Sequence, residues 1–194
     1  QRQMCIRGRK SNNQIIHNFI NLMSKYEIDY RIPNALIDGI LSDLSKVNIK
    51  DYNQLFCYSY KVAGTVGLMM CDIMGVKENS LKFNAIYLGI AMQLTNISRD
   101  VKEDLLRDRI YIPKEIRVHV KNDLHEIPLS DKLQREFSKD LKKLIDTSDI
   151  IYDLAWEGII KLPLKYRFPI AIASFLYQSI GTKIRNNKYK IKKF

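Results

Sequence analysis

The chain has 194 residues, 46% hydrophobic and 27% charged, with a formal net charge of +11. That composition excludes a disordered chain, and eight glycines with five prolines leave too few turns for a β-rich architecture. No apolar run reaches the roughly 20 residues of a membrane-spanning helix, and no apolar secretory segment is visible at Gln1. The charge favours an anionic partner, such as a nucleic acid, a phosphorylated small molecule or an anionic membrane surface, unless it reflects only a coding bias toward lysine. Three cysteines, Cys5, Cys57 and Cys71, are an odd number without metal-ligand spacing. They fit reduced thiols of a cytoplasmic protein, and the apolar surroundings of Cys57 and Cys71 predict core packing.

In chain order, Ile15, Ile16, Phe19, Ile20, Leu22 and Met23 recur at helical spacing and predict a helix over 11–26. Pro33 predicts the start of a second helix, ending near Leu44. Asp51 is a suitable N-cap for a long helix through "YNQLFCYSYKVAGTVGLMMCDIMG", which Gly75 would close. Asn79 or Ser80 opens another, running to about Asp104. Pro113 marks a break and 123–128 reads as loop. Further helices are expected over 130–158 and 165–186. Strand signals are weak throughout, so the expectation is one all-α domain covering 1–194.

Two segments carry chemistry. In "NISRDVKEDLLRDRIYIP", Asn96, Asp100 and Asp104 are successive i, i+4 positions, and Gln93 sits one turn before them. On a helix they form one stripe of amides followed by carboxylates. Like charges at that spacing mildly destabilise a helix, whereas oxygen ligands at that spacing suit Mg²⁺. Arg99, Lys102, Arg107 and Arg109 could reach a phosphate. The competing reading is a surface helix laced by Arg99–Glu103 and Glu103–Arg107 pairs. Asp149 and Asp153 share the spacing but lack the amide and the arginines, and read as helix surface. In "YSYKVAGTVGLMM", Gly64 and Gly67 each cost about 1 kcal/mol relative to alanine in a helix. Either another helix packs closely there or a groove leaves room for a long apolar chain. Tyr58, one turn before Val62, would then stand near that groove.

Together, "YSYKVAGTVGLMMCDIMGV" and "LGIAMQLTNISRDVKEDLLRDRIYIP" resemble the squalene/phytoene synthase family, and "GIIKLPLKYRFPIAIASFLYQSIGTKIRNN" looks like the closing helices of its bacterial phytoene synthases. The resemblance implies an all-α isoprenoid synthase fold around a central cavity, in which two aspartate-rich motifs hold Mg²⁺, with Mn²⁺ as an alternative. It makes Asp100 and Asp104 metal ligands with Asn96 assisting. It places Tyr58 and Gln93 near the reacting carbons, and Val62, Ala63 and Gly64 on the prenyl wall. Arg99, Arg109, Tyr111 and Tyr177 become substrate-binding. The implied reaction of carotenoid biosynthesis joins two geranylgeranyl diphosphates head to head, through a cyclopropylcarbinyl diphosphate, to phytoene, with no NADPH.

One departure is large. The first aspartate-rich motif of the family would precede the "VAG" helix, and residues 1–57 hold only Asp29, Asp38, Asp43 and Asp51, without a D-x-x-x-D. The expectation is therefore a domain truncated at its N-terminus, and at its C-terminus too, inactive when alone. Squalene-type or dehydrosqualene synthesis from farnesyl diphosphate, and a non-catalytic assembly role, are the alternatives. Nucleic-acid binding has no motif behind it, and peripheral attachment to a membrane face stays open.

Overall fold

The computed structural model describes residues 13–117 and 131–190. Helix α1 (Gln14–Lys25) is capped by the Asn13 side chain, which accepts from the Ile15 N–H at 2.9 Å. Helix α2 (Arg31–Ser42) begins before Pro33, because a proline in the first turn loses no internal hydrogen bond. The polar segment after it contains strand β1 (Val47–Asn48), which the sequence did not announce.

The predicted long helix over 52–74 exists in three parts. Helix α3 (Tyr52–Ser59) starts at Asp51, whose carboxylate accepts from the Gln54 N–H at 2.8 Å. A π-helical turn, Tyr60–Gly64, follows, and helix α4 (Thr65–Met74) completes the run. Gly75 closes it at φ 74°, a left-handed conformation that glycine adopts without steric cost.

Helix α5 (Asn79–Arg99) is the central element. It ends at Asp100 (φ −98°, ψ 12°), and helix α6 (Val101–Leu106) takes over, so the single helix expected to Asp104 is broken once. Strand β2 (Arg109–Ile110) pairs in parallel with β1, Val47 opposite Arg109. Helix α7 (Asp131–Ile159) and helix α8 (Leu164–Asn186) follow, close to the predicted spans. The loop expected at 123–128 lies outside the described residues.

Helix α4 runs antiparallel to α5. Gly67 lies against the Ala85 backbone and Gly89 against the Ala63 carbonyl, so a Cβ at either glycine would collide with main chain. Helix α7 is antiparallel to α5 as well: Ser148 reaches Thr95 (3.2 Å) and the Ala91 carbonyl (3.1 Å), and Gly158 rests on Asn84. The main core clusters Leu55, Leu94, Ile97, Phe137 and Leu144 about the C-terminal half of α5. A second cluster, Cys71, Val76, Leu81 and Leu162, closes the other end of the helix. Cys71 is buried, and burial pushes its thiol up to about 11. Cys57 is exposed, against expectation, because Leu55 and Ser59 take the inward face of α3. No described helix is long and apolar enough to cross a membrane.

Candidate active site

Helices α4, α5, α7 and α8 line a cavity of about 590 Å³, with the exposed Val66 and Met70 on its open side. Helical periodicity selects its lining. On α5 the positions Leu81, Ala85, Leu88, Met92 and Asn96 face inward, and on α8 Ile170, Ala173 and Tyr177 do. The walls are mainly apolar, and Gln93, Asn96 and Tyr177 bring polar groups to one end.

Beyond that end lies the acidic stripe. The break at Asp100 does not scatter it. The Asp100 N–H still donates to the Asn96 carbonyl and the Asp104 N–H to the Asp100 carbonyl, both at 2.9 Å, so the three side chains share a face. Arg99 grips the Asp100 carboxylate through two bonds of 2.6 Å, not Glu103 as the surface reading expected. The Glu103–Arg107 pair is present at 2.7 Å. Asp104 is half-buried. Burial first, then the charge of Asp100, pushes its carboxyl up to about 6, while Arg109 opposes the shift.

Three observations bear on a divalent cation. The Asn96 Oδ1 is buried and has no hydrogen-bond partner, an acceptor left waiting for a donor or a cation. The Asp104 carboxyl is raised to about 6 by surroundings whose effect a nearby positive charge would reverse. Among the described residues, however, no group of three or more His, Cys, Asp or Glu side chains gathers at one point. The stripe thus offers two carboxylates and an amide oxygen, a set that fits Mg²⁺ only when water and substrate oxygens complete the shell.

Behind the stripe stands a residue to which the sequence reading gave no role. Asp43, just past the end of α2, accepts from the Tyr111 hydroxyl at 2.7 Å and from the Tyr58 hydroxyl at 3.1 Å. The two rings stack with centroids 4.8 Å apart. The Arg109 guanidinium donates to the Asp43 carbonyl at 2.8 Å. Burial raises both tyrosine hydroxyls far above their ordinary range, so both remain protonated donors. One aspartate therefore fixes three of the expected site residues. Its partners lie 15, 66 and 68 positions away, and no local spacing could have revealed it.

The structure brings together Val62, Ala63, Gln93, Asn96 and Tyr177 on the cavity wall. Asp104, Arg109 and Tyr111 gather beside a narrow cleft next to it. Tyr58 is turned away to Asp43. Gly64 is not on the wall: a Cβ there would meet Tyr60 at 3.0 Å and Ile86 at 3.2 Å, so its smallness serves the α4–α5 contact. Asp149 pairs with Arg185 on the α7–α8 surface, and Asp153 is exposed.

An all-α bundle with one long apolar cavity and a carboxylate stripe at its mouth is the isoprenoid synthase fold, and solved structures agree. The chain superposes on a squalene synthase from Alicyclobacillus acidocaldarius with a TM-score of 0.81 at 17% identity, covering 91% of this chain and 67% of that one. It superposes on a dehydrosqualene synthase with a TM-score of 0.81 at 24% identity, covering 94% and 64%. The squalene/phytoene synthase family model matches residues 2–193, and the chain belongs to that family. It is 35% identical over 179 residues to a chloroplastic phytoene synthase of Narcissus pseudonarcissus, covering 86% of this chain and 41% of the relative. It is 34% identical over 188 residues to a phytoene synthase of Arthrospira platensis, covering 89% and 60%. The chain thus spans about two fifths of the plant relative's length and three fifths of the Arthrospira one's.

Proposed function

We propose that this chain carries the prenyl cavity and the second aspartate-rich wall of a phytoene synthase, which condenses two geranylgeranyl diphosphates head to head. The observation that carries the reading is the carboxylate stripe set at the polar mouth of a long apolar cavity. The relatives named as phytoene synthases support it.

The residues divide the work by chemistry. A divalent cation held by Asp100, Asp104 and Asn96 would neutralise charge on the departing diphosphate. Arg99, now paired with Asp100, can turn to phosphate oxygens once a cation takes its place on that carboxylate. Arg109 stands beside Asp104 and is aimed by the Asp43 carbonyl. Val62, Ala63, Leu88 and Met92 exclude water from a chain that becomes an allylic cation, and the Tyr177 ring offers a π-face to passing positive charge. Gln93 and Asn96 meet at 3.5 Å at the boundary between these regions, where the reacting carbons would lie. No step requires NADPH.

The test is product analysis with the full-length protein, geranylgeranyl diphosphate and Mg²⁺. Phytoene formed without NADPH is the expected result. Products of C30 length only, or dependence on NADPH, would transfer the chain to the farnesyl-using branch of its family.

A further inference from the structure

Helix α2 lines neither the cavity nor the narrow cleft beside it, yet it meets both regions from behind. On the cavity side the contact is Gly39. A Cβ there would lie 2.8 Å from the Val62 Cγ1 and 2.9 Å from the Lys61 Cβ, so α2 seats its backbone directly on the π-helical turn whose Val62 walls the cavity. On the acidic side the contact is Asp43. It follows Gly39 by four residues at the still helical end of α2 (φ −78°, ψ −8°), and so shares its face. All three of its acceptor oxygens are engaged. Oδ1 accepts from Tyr111 at 2.7 Å, Oδ2 from Tyr58 at 3.1 Å, and the carbonyl from Arg109 at 2.8 Å. Two phenols, one on each oxygen, fix the plane of the carboxylate and anchor the main chain that carries the carbonyl. Strands β1 and β2 hold the same two segments in register, with the Ile49 N–H donating to the Ile110 carbonyl at 3.0 Å.

We propose that Asp43, stationed by the Gly39 seat on the cavity wall, is a positioning residue that holds Arg109 beside Asp104 to receive a diphosphate. This rests on the proposed function. Asp43 itself touches no substrate, because hydroxyl donors occupy both of its carboxylate oxygens. It acts through Arg109, which lines one cleft with Asp104 and whose charge acts on that carboxyl. A neutral carbonyl orients a guanidinium without cancelling its charge, whereas a carboxylate in the same place would compete with the incoming anion. Helix α2 thereby refers the diphosphate end to the prenyl wall: one helical turn separates the residue that rests on Val62 from the residue that aims Arg109.

The experiment measures binding of inorganic diphosphate with Mg²⁺ by calorimetry, beside KM and kcat for geranylgeranyl diphosphate, in the full-length protein. Asp43→Ala releases both phenols and the anchor of the carbonyl. It is expected to weaken diphosphate binding and raise KM by about tenfold or more, the scale on which loss of a residue that orients a binding group is felt. Asp43→Asn keeps the shape and one acceptor oxygen, and should recover most of that loss. Arg109→Lys keeps the charge but not the guanidinium fork, so in that background Asp43→Ala should cost less than about twofold, since no fork remains to be aimed. If Asp43→Ala does not fold, Tyr111→Phe, which removes one of the two anchoring bonds, takes its place in the cycle. A loss as large in the Arg109→Lys background as in the wild type would overturn the assignment while leaving the synthase reading intact. So would an Asp43→Ala protein that folds and binds diphosphate as tightly as the wild type, or an Asp43→Asn protein as weak as Asp43→Ala. A wild-type protein that neither binds diphosphate nor consumes a prenyl diphosphate would remove the proposed function and the positioning role together.

Discussion

The two ends of α5 are built on opposite principles. At the Leu81 end, helices meet backbone to backbone. Gly67 and Gly89 remove side chains so that α4 and α5 can touch, and Cys71, Leu81 and Leu162 fill what remains. At the Asn96 end, groups are left unsatisfied or bound provisionally. The Asn96 oxygen has no partner, burial and the Asp100 charge push the Asp104 carboxyl up to about 6, and Asp100 is tied to its own neighbour Arg99. Close backbone packing marks the first end and exchangeable polar groups the second, where they lie along the main core of Leu94 and Ile97, so substitutions at the glycines and on the stripe should separate by readout.

The largest effect should come from the chemical end. Asp100→Ala is expected to lower kcat by orders of magnitude with helix content and Tm nearly unchanged, as read by steady-state kinetics and circular dichroism. Asp149→Ala, at the same spacing but on the α7 surface, should leave kcat alone. Equal losses in the two variants would erase the distinction. At the packing end the pattern should reverse. Gly67→Ala drives a methyl into the Ala85 backbone, an overpacking that costs about 1–3 kcal/mol and shows as a lower Tm before any change in KM. Gly64→Leu should behave likewise, because its obstacle is Ile86 and not substrate.

A subtler test uses pH. The folded protein raises Asp104 from 3.8 to about 6, so it favours the protonated form. The stability this confers is complete below the unfolded value and is lost as pH rises through about 6. In metal-free buffer at pH 7.5, Asp104→Asn should therefore melt above the wild type, and near pH 3.5 the two should converge. Added Mg²⁺ should stabilise the wild type and not the variant. A wild type that melts higher without metal at neutral pH would show the stripe to be structural. Tyr111→Phe removes one donor from Asp43 and should cost about 1.5–3 kcal/mol, the range for a hydrogen bond to a charged group. The smallest effect is at Glu103, whose exposed pair with Arg107 is worth no more than about 1 kcal/mol, so Glu103→Gln should barely move the melt.

Much of this contrast was legible in the sequence, for physical reasons that differ by region. Helix α1 reveals itself by apolar periodicity, and the bounds of the α3–α4 run by the Asp51 cap and the left-handed Gly75. These are local signals. The acidic stripe was visible for the same reason, because i, i+4 is a local relation that survives even the break at Asp100. The Asp43 assembly was not visible, since its parts come from three distant segments joined only by folding. Gly64 and Gly67 were ambiguous because a close helix and a close ligand demand the same small residue. Only the position of Ile86 and of the Ala85 carbonyl decides which one is near.

The π-helical turn has a consequence for how one continuous helix serves several neighbours. The Thr65 N–H reaches the Tyr60 carbonyl, one residue further back than an α-helix allows. That extra residue advances the angular phase of everything after it by about a quarter turn, given 3.6 residues per turn. Upstream, α3 presents Leu55 and Ser59 inward and turns Tyr58 toward Asp43. Downstream, α4 presents Gly67 to α5 and Met70 and Met74 to the cavity. An unbroken α-helix could satisfy one of these angular assignments and would misdirect the other. Deleting a single residue between Tyr60 and Gly64 would regularise the hydrogen bonding and put α3 and α4 out of step. A gap of one at this point in a pairwise alignment of relatives would therefore be a rotation of half the helix, and not the loss of a loop residue.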